Sequence, residues 1–332
     1  MSRPLADPLP AVAALRVDYV QAAPSAALEA PGVLAAIDFG AAAAADDPRR
    51  LTVPLRPHGP APVEVWRVPG PVRCGRERGL AWSEDGALQF AWLEVDEVAA
   101  GGIEAAAAIA YARLRACLRE RGYPHPLRIW NYMDAITRGE GDDERYRRFC
   151  VGRARGLGDI DVEALPAATA IGRRDGVRVL QVYWLAARAP GAAVENPRQL
   201  SAYRYPRRYG PQPPSFARAM LPPAGSDLPL LLSGTASVVG HETRHPDCVL
   251  AQLDETFANF DSLLGAAHAR RRSLPARFGP GTRLKAYVRD ADALAPVAAA
   301  LDARLGGAVP RIVLHADICR RDLRVEIDGF HG

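Results

Sequence analysis

One lysine, Lys285, stands among 42 basic residues, so nearly every cation of this 332-residue chain is an arginine. Arginine pairs two-pronged with carboxylates and phosphates, which suits an anionic small molecule, although a GC-rich coding sequence gives the same bias. The excess over Asp plus Glu is only 42 to 38, and no basic stripe with interleaved aromatics occurs, so nucleic acid is not an expected partner. The five cysteines, Cys74, Cys117, Cys150, Cys248 and Cys319, are odd in number, far apart and free of any Cys-x-x-Cys pair. That pattern predicts reduced thiols and a cytoplasmic protein. Long apolar runs are missing as well. The alanine-rich stretches at 41–45 and 105–110 are too short to span a bilayer, and the N-terminus lacks a basic region followed by an apolar core, so no membrane is expected. Nor is there a phosphate loop, a dinucleotide glycine pattern or a nucleophile elbow, which argues against nucleotide cofactors and serine hydrolysis. His241, His245 and Cys248 have a metal-like spacing, but Pro246 directly after His245 argues against one helix face carrying both imidazoles. Neither metal nor cofactor is expected.

What is present is a chain with 48% hydrophobic residues, enough for two domains or one large domain of two halves. Residues 1–60 are Ala- and Pro-rich with weak periodicity, and are expected to form an irregular segment packed on the first half, with short strands at 15–20 and 33–39. From there the pattern predicts a strand at 88–95, a helix at 102–121, a strand at 127–133, a helix at 142–155, and strands at 167–171 and 177–187 joined by an Asp175-Gly176 turn. The order then recurs: strand 230–238, helix 246–268, strand 283–288, helix 291–305, and strands 311–316 and 322–327. Two copies of β-α-β-α-β-β suggest a duplicated α+β unit, though any alternating α/β chain shows something similar. The halves are expected at 61–196 and 221–332, with a Pro-, Arg- and Tyr-rich active-site connection at 197–220.

In the last strand Glu326 stands between Val325 and Ile327. If its face is covered, the carboxylate either pairs with a cation or titrates high enough to serve as an acid. Strict alternation also allows it to share a solvent face with Arg324.

The second half resembles the YjgF/RidA family in LLLSGTASVVG at 230–240, in the helix containing QLDETFANFDSLL, and in the fifteen-residue spacing of Arg311 and Glu326. A narrower resemblance covers most of the chain. RIWNYMDAI at 128–136, GDDERYRRFCVGRA at 141–154, QLSAYRYPRRYGPQPPSFARA at 199–219, SGTASVVGHET at 233–243 and HADICRRDLRVEIDG at 315–329 together look like the chorismatase family. That resemblance implies two tandem RidA-like (chorismate mutase-like) units in a pseudo-oligomeric core, monomeric or weakly homo-oligomeric. It implies chorismate as substrate and loss of its enolpyruvyl group as pyruvate. Cys319, seven residues before Glu326, resembles the 3-hydroxybenzoate synthase branch. Ala236 in SGTAS departs from the glycine of the plainest synthases, leaving a mixed 3- and 4-hydroxybenzoate producer and the hydrolase outcome open.

Chorismate is a dianion, so its binding calls for cationic clamps. Arg153 and Arg311 are the candidates, with Tyr203 and Tyr209 as orienting hydroxyls and Gly234, Thr235 and Ala236 lining the ligand after a strand. Glu326 is the candidate acid for the enolpyruvyl methylene carbon. Cys319 is placed to shape the pocket or steer a proton, although a buried cysteine is commonly plain packing.

Overall fold

The computed structural model describes residues 13–41, 46–159 and 161–332. The part of the N-terminal expectation that concerns residues 1–12, and most of the alanine run at 41–45, therefore lie outside the described residues. The fold is mixed α+β. Three main sheets surround one interior, and four long helices cover two of them from outside.

The first large sheet runs in the order Asp317–Ile318, Ala167–Arg173, His125–Asp134, Val179–Ala187, Leu88–Asp96, Leu80–Glu84, Arg73–Glu77. The second runs Ala192–Val194, Ala219–Leu221, Leu230–Ala236, Val325–His331, Arg283–Val288, Arg311–His315, Arg56–Pro57. The helix predicted at 102–121 spans Ile103–Arg121. Its buried stripe of Ile103, Ala107, Ala110, Leu114 and Leu118 packs on the first sheet, and Gly122 stops it at φ 76°. The helix Arg145–Leu157 lies against it at unusually close range: a Cβ on Gly152 would sit 2.0 Å from the Glu104 carbonyl oxygen. The close approach leaves Arg153, the next residue, 4% exposed beneath the neighbouring helix. Helices Val249–Arg270 and Leu294–Leu305 cover the second sheet in the same manner. The former begins after Pro246, where His245 has φ 54°, so the two imidazoles do not share a helix.

Two expectations need correction. Residues 167–173 and 179–187 follow one another across the Asp175-Gly176 turn but do not pair, because His125–Asp134 lies between them, parallel to the first and antiparallel to the second. The strands Arg311–His315 and Val325–His331 are likewise separated by Arg283–Val288. The short strands expected at 15–20 and 33–39 form as Arg16–Val20 and Val33–Phe39, but the segment up to residue 60 is not irregular: with Arg50–Val53 and Val63–Arg67 they make a third sheet. Its strands are only four to seven residues long, too short to show a clear period, but many of their side chains are buried against both large sheets. No helix among the described residues is long and apolar enough to cross a membrane.

Four fully buried charges join the three sheets. Lys285 Nζ donates to Glu64 Oε2 at 2.8 Å and lies 3.7 Å from Asp328 Oδ1, and the Arg128 guanidinium donates to Asp328 Oδ2 at 3.1 Å. The indole N–H groups of Trp66 and Trp130 donate to Glu64 and Asp328, and the Tyr287 hydroxyl donates to Asp328. Two cations balance two carboxylates; Asp328 Oδ2 accepts three hydrogen bonds, while Oδ1 has no hydrogen bond and faces the Lys285 ammonium at 3.7 Å. Removing one partner leaves a buried charge uncompensated. Lys285→Met is therefore expected to lower the unfolding free energy by about 3–5 kcal/mol, read from urea denaturation. A loss below about 1 kcal/mol would show that the sheets do not depend on this network.

Candidate active site

A cavity of about 270 Å³ opens where the Ala167–Arg173 edge of the first sheet meets the Leu230–Ala236 strand of the second. Strand alternation decides what faces it. Val325 and Ile327 point into the helix-covered core, whereas Glu326, Asp328 and Phe330 turn inward. Glu326 is 5% exposed and lies on the cavity wall, which settles its position against a shared solvent face with Arg324.

The opposite strand is built around this carboxylate. Its ladder with Val325–His331 slips between Leu232 and Thr235, and the irregular residues Ser233 and Gly234 reach across to the first sheet. Ser233 Oγ accepts from the Ala168 N–H at 2.9 Å, and the Gly234 N–H donates to Thr169 Oγ at 2.9 Å. A Cβ on Gly234 would fall 2.0 Å from Glu326 Oε1, so a larger residue there would displace the carboxyl.

Burial pushes the Glu326 carboxyl up to about 8; Asp328, two residues along the strand, adds to the rise, and Arg128, Arg218 and Arg320 oppose it without cancelling it. The group is thus largely protonated at neutral pH. Cys319 Sγ lies 3.9 Å from Glu326 Oε2, and burial together with that neighbouring carboxyl holds its thiol well above the usual range. It is a neutral wall atom at pH 7, not a thiolate nucleophile.

Three guanidinium groups line the cavity with no carboxylate within ion-pair distance among the described residues. Arg153 is 4% exposed, and its Nε and one terminal nitrogen have no hydrogen-bond partner; its guanidinium lies 5.2 Å from the Tyr111 ring centre. A buried cation with two unused donors calls for an anion. Arg218 donates to the Leu200 carbonyl at 2.8 Å and the Tyr205 hydroxyl at 2.7 Å, leaving its Nε unused. Arg320 stacks 4.2 Å from the Tyr209 ring centre and donates to the His241 carbonyl. Tyr209 donates to the same carbonyl at 2.6 Å, which ties the 197–220 connection to the turn at His241.

Of the residues singled out in the sequence, Glu326, Cys319, Arg153, Tyr209, Gly234 and Ala236 meet at this cavity. Three do not. Arg311 is two strands away from Glu326, with Arg283–Val288 between them, and its guanidinium is occupied by the Gly306 and Val309 carbonyls and by Asp302. Thr235 pairs with Ile327 in register, so its side chain belongs to the helix-facing side of the sheet and donates to the Ser233 carbonyl. Tyr203 sits in a short turn beside Arg204, away from the cavity lining. The residues missed by sequence reasoning are Arg218, Arg320, Tyr205 and Thr169. Arg218 and Tyr205 lie in the same connecting motif as Tyr209, and Arg320 follows Cys319, so their neighbourhood was marked; a threonine within an alanine-rich strand carries no signal. Of the suspected metal set, His241 Nδ1 meets Arg208 and His245 faces Glu255.

The comparisons with known proteins place the chain in a family. Residues 64–186 match the family model "Chorismatase FkbO/Hyg5-like, N-terminal". A chorismatase of Streptomyces rapamycinicus is 39% identical over 274 residues, covering 80% of this chain and 81% of that protein. This chain belongs to the chorismatase family. A 3-hydroxybenzoate synthase of Streptomyces hygroscopicus is 34% identical over 276 residues, 80% of each chain. A crystal structure of a chorismatase superposes with a TM-score of 0.84 at 34% identity, covering 97% of this chain and 99% of the other. The family assignment therefore extends over the second half, where the acid and the connection lie.

The environment of Glu326 has a direct spectroscopic consequence. Its carboxyl carbon, followed by NMR with 13C-labelled glutamate, is expected to titrate near pH 8, with the resonance assigned by its loss in Glu326→Gln. A midpoint in the ordinary range of 4 to 5 would show that water reaches the carboxylate.

Proposed function

We propose that this protein cleaves chorismate to pyruvate and 3-hydroxybenzoate, with some 4-hydroxybenzoate, by acid-initiated loss of the enolpyruvyl group. The observation that carries this reading is a buried carboxyl, protonated at neutral pH, in the same cavity as an unpaired buried Arg153. Chorismate offers what each requires: carboxylates for Arg153 and for the Arg218/Arg320 pair, and an enol ether whose methylene carbon accepts a proton. Glu326 supplies that proton. The π pair of the enol forms the new C–H bond, and the resulting oxocarbenium ion is stabilised by the carboxylate left behind. The ring C–O bond then breaks with its electron pair moving to oxygen, which leaves as the ketone of pyruvate.

The fate of the electron-poor ring carbon decides the product. Attack by the neighbouring ring hydroxyl, followed by proton loss and aromatisation, yields hydroxybenzoate without consuming water. Attack by water yields the dihydroxycyclohexadiene carboxylate. Cys319 beside Glu326 supports the first outcome, because its sulfur fills space a water would need. Ala236, in register with Glu326 and lining the cavity where the resemblance leads one to expect the glycine of the plainest synthases, supports a share of 4-hydroxybenzoate in the product; the hydrolase outcome is the alternative reading. A RidA-like binding protein without turnover has no use for a buried protonated acid.

The matching strand order of the two large sheets supports reading 61–196 and 221–332 as two RidA-like units, with 197–220 as the connection that roofs the site. The protein is proposed to act in the cytoplasm as a monomer or weak homo-oligomer, without metal or cofactor.

Purified protein incubated with chorismate is expected to release one pyruvate per chorismate consumed, and in 18O-labelled water the hydroxybenzoate should carry no label at its ring hydroxyl. Absence of pyruvate would overturn the reading. Glu326→Gln keeps the shape but has no transferable proton, so turnover should fall by roughly 10²–10⁴. Because the reactive form is the protonated one, the wild-type rate should be highest below pH 7 and decline as pH rises through about 8. Cys319→Ala should retain chorismate consumption and shift product toward the labelled diene diol. An unchanged product mixture would reduce Cys319 to packing.

A further inference from the structure

Thr169 lies on the Ala167–Arg173 strand, 3% exposed, and its hydroxyl oxygen is on the cavity side. That oxygen accepts two hydrogen bonds, from the Arg128 guanidinium at 2.5 Å and from the Gly234 N–H at 2.9 Å. A hydroxyl has two lone pairs and one proton. Both lone pairs are engaged here, and no acceptor for the proton exists among the described residues. Both donors are fixed, one a guanidinium of the buried network and one the Gly234 backbone, so the O–H is the valence left for a ligand in the cavity that Thr169 lines. A cation donating to the oxygen also polarises the hydroxyl and makes it a stronger donor.

The position of this proton relative to the acid is defined by Gly234. An added Cβ there would lie 2.0 Å from Glu326 Oε1 and 3.3 Å from Thr169 Oγ, so the two oxygens border one small space. In an enol ether the methylene carbon and the ether oxygen are only two bonds apart, and one such group fits between the two.

We propose that Thr169 is a second catalytic residue, donating a hydrogen bond to the enol-ether oxygen as that oxygen departs with pyruvate. This rests on the chorismate-cleaving reading and adds a role for a residue distinct from the acid. When Glu326 has protonated the methylene carbon, the ether oxygen is electron-poor and gains little from a donor. As the ring C–O bond breaks, the bonding pair arrives on that oxygen, and the hydrogen bond strengthens with it. The interaction is worth most in the bond-breaking transition state, so it speeds cleavage rather than binding. No proton is transferred by Thr169, since its own acceptor sites are filled by donors.

The test compares wild type, Thr169→Val and Thr169→Ser with chorismate in D2O, measuring pyruvate release and the deuterium content of recovered chorismate. Thr169→Val is nearly isosteric and lacks the donor. Its kcat should fall about 10²-fold with KM little changed, and the protonated intermediate should now return to substrate, placing deuterium in the enolpyruvyl methylene of unreacted chorismate. Thr169→Ser should restore the rate to within a few-fold and abolish that exchange. Loss of a merely structural contact would slow the reaction without deuterium wash-in, and that result, or a rise in KM alone, overturns the proposal. Thermal melting verifies that the variants fold. Should the valine variant fail to fold, Thr169→Cys, a weak donor of similar size, must show slowed release with measurable exchange, and a normal rate without exchange overturns the proposal. If wild type releases no pyruvate from chorismate, the functional reading itself has failed, and the role of Thr169 falls with it.

Discussion

The fold depends on a charge-balanced cluster at the point where three sheets converge. Glu64 comes from the N-terminal sheet, Arg128 from the first large sheet, and Lys285 and Asp328 from adjacent strands of the second. None of the four is exposed, and each is held by a charge or an indole or phenol from another element. An apolar centre would tolerate many packings of three sheets. This one accepts only the arrangement in which both carboxylates find their cations. The rings of Trp66, Phe90, Trp130 and Phe330 close around it and exclude water.

The same cluster reaches the candidate active site by two routes. Asp328 stands two residues from Glu326 on one face of one strand, so its negative charge adds to the burial that keeps Glu326 protonated. Arg128 spans Asp328 and Thr169, and through Thr169 it meets the Gly234 backbone that makes space for the acid. Structural and chemical demands are thus met by shared groups. A change in the cluster is felt both in how the sheets dock and in the protonation of the acid.

Much of this was legible in the chain. Helix 103–121 was marked by its apolar stripe and its terminal glycine, and Glu326, Cys319, Arg153 and Tyr209 by the motifs around them. What escaped were the short strands Val63–Arg67, Arg73–Glu77 and Leu80–Glu84 and the pairings that depend on sheet order. The fifteen-residue spacing of Arg311 and Glu326 suggested proximity, but a third strand inserts between their strands and carries Arg311 to the rim, beside Asp302. In the third sheet Arg50–Val53 and Val63–Arg67 were not anticipated, because strands of four or five residues show little amphipathic contrast, and their burial comes from the sheets placed over them.

By itself the sequence determined the longer helices and strands, through apolar periodicity and turn residues, and the chemical inventory: a single lysine, an excess of arginine, an acid in an apolar strand. Those are local properties, set by backbone sterics and side-chain type. Only the tertiary structure decided which arginines serve the cavity, which face of each strand turns inward, and that Glu326 is a protonated acid and not a solvated carboxylate. Desolvation and charge coupling act through space over a few ångströms, and which residues come that close depends on the order of strands in the sheets.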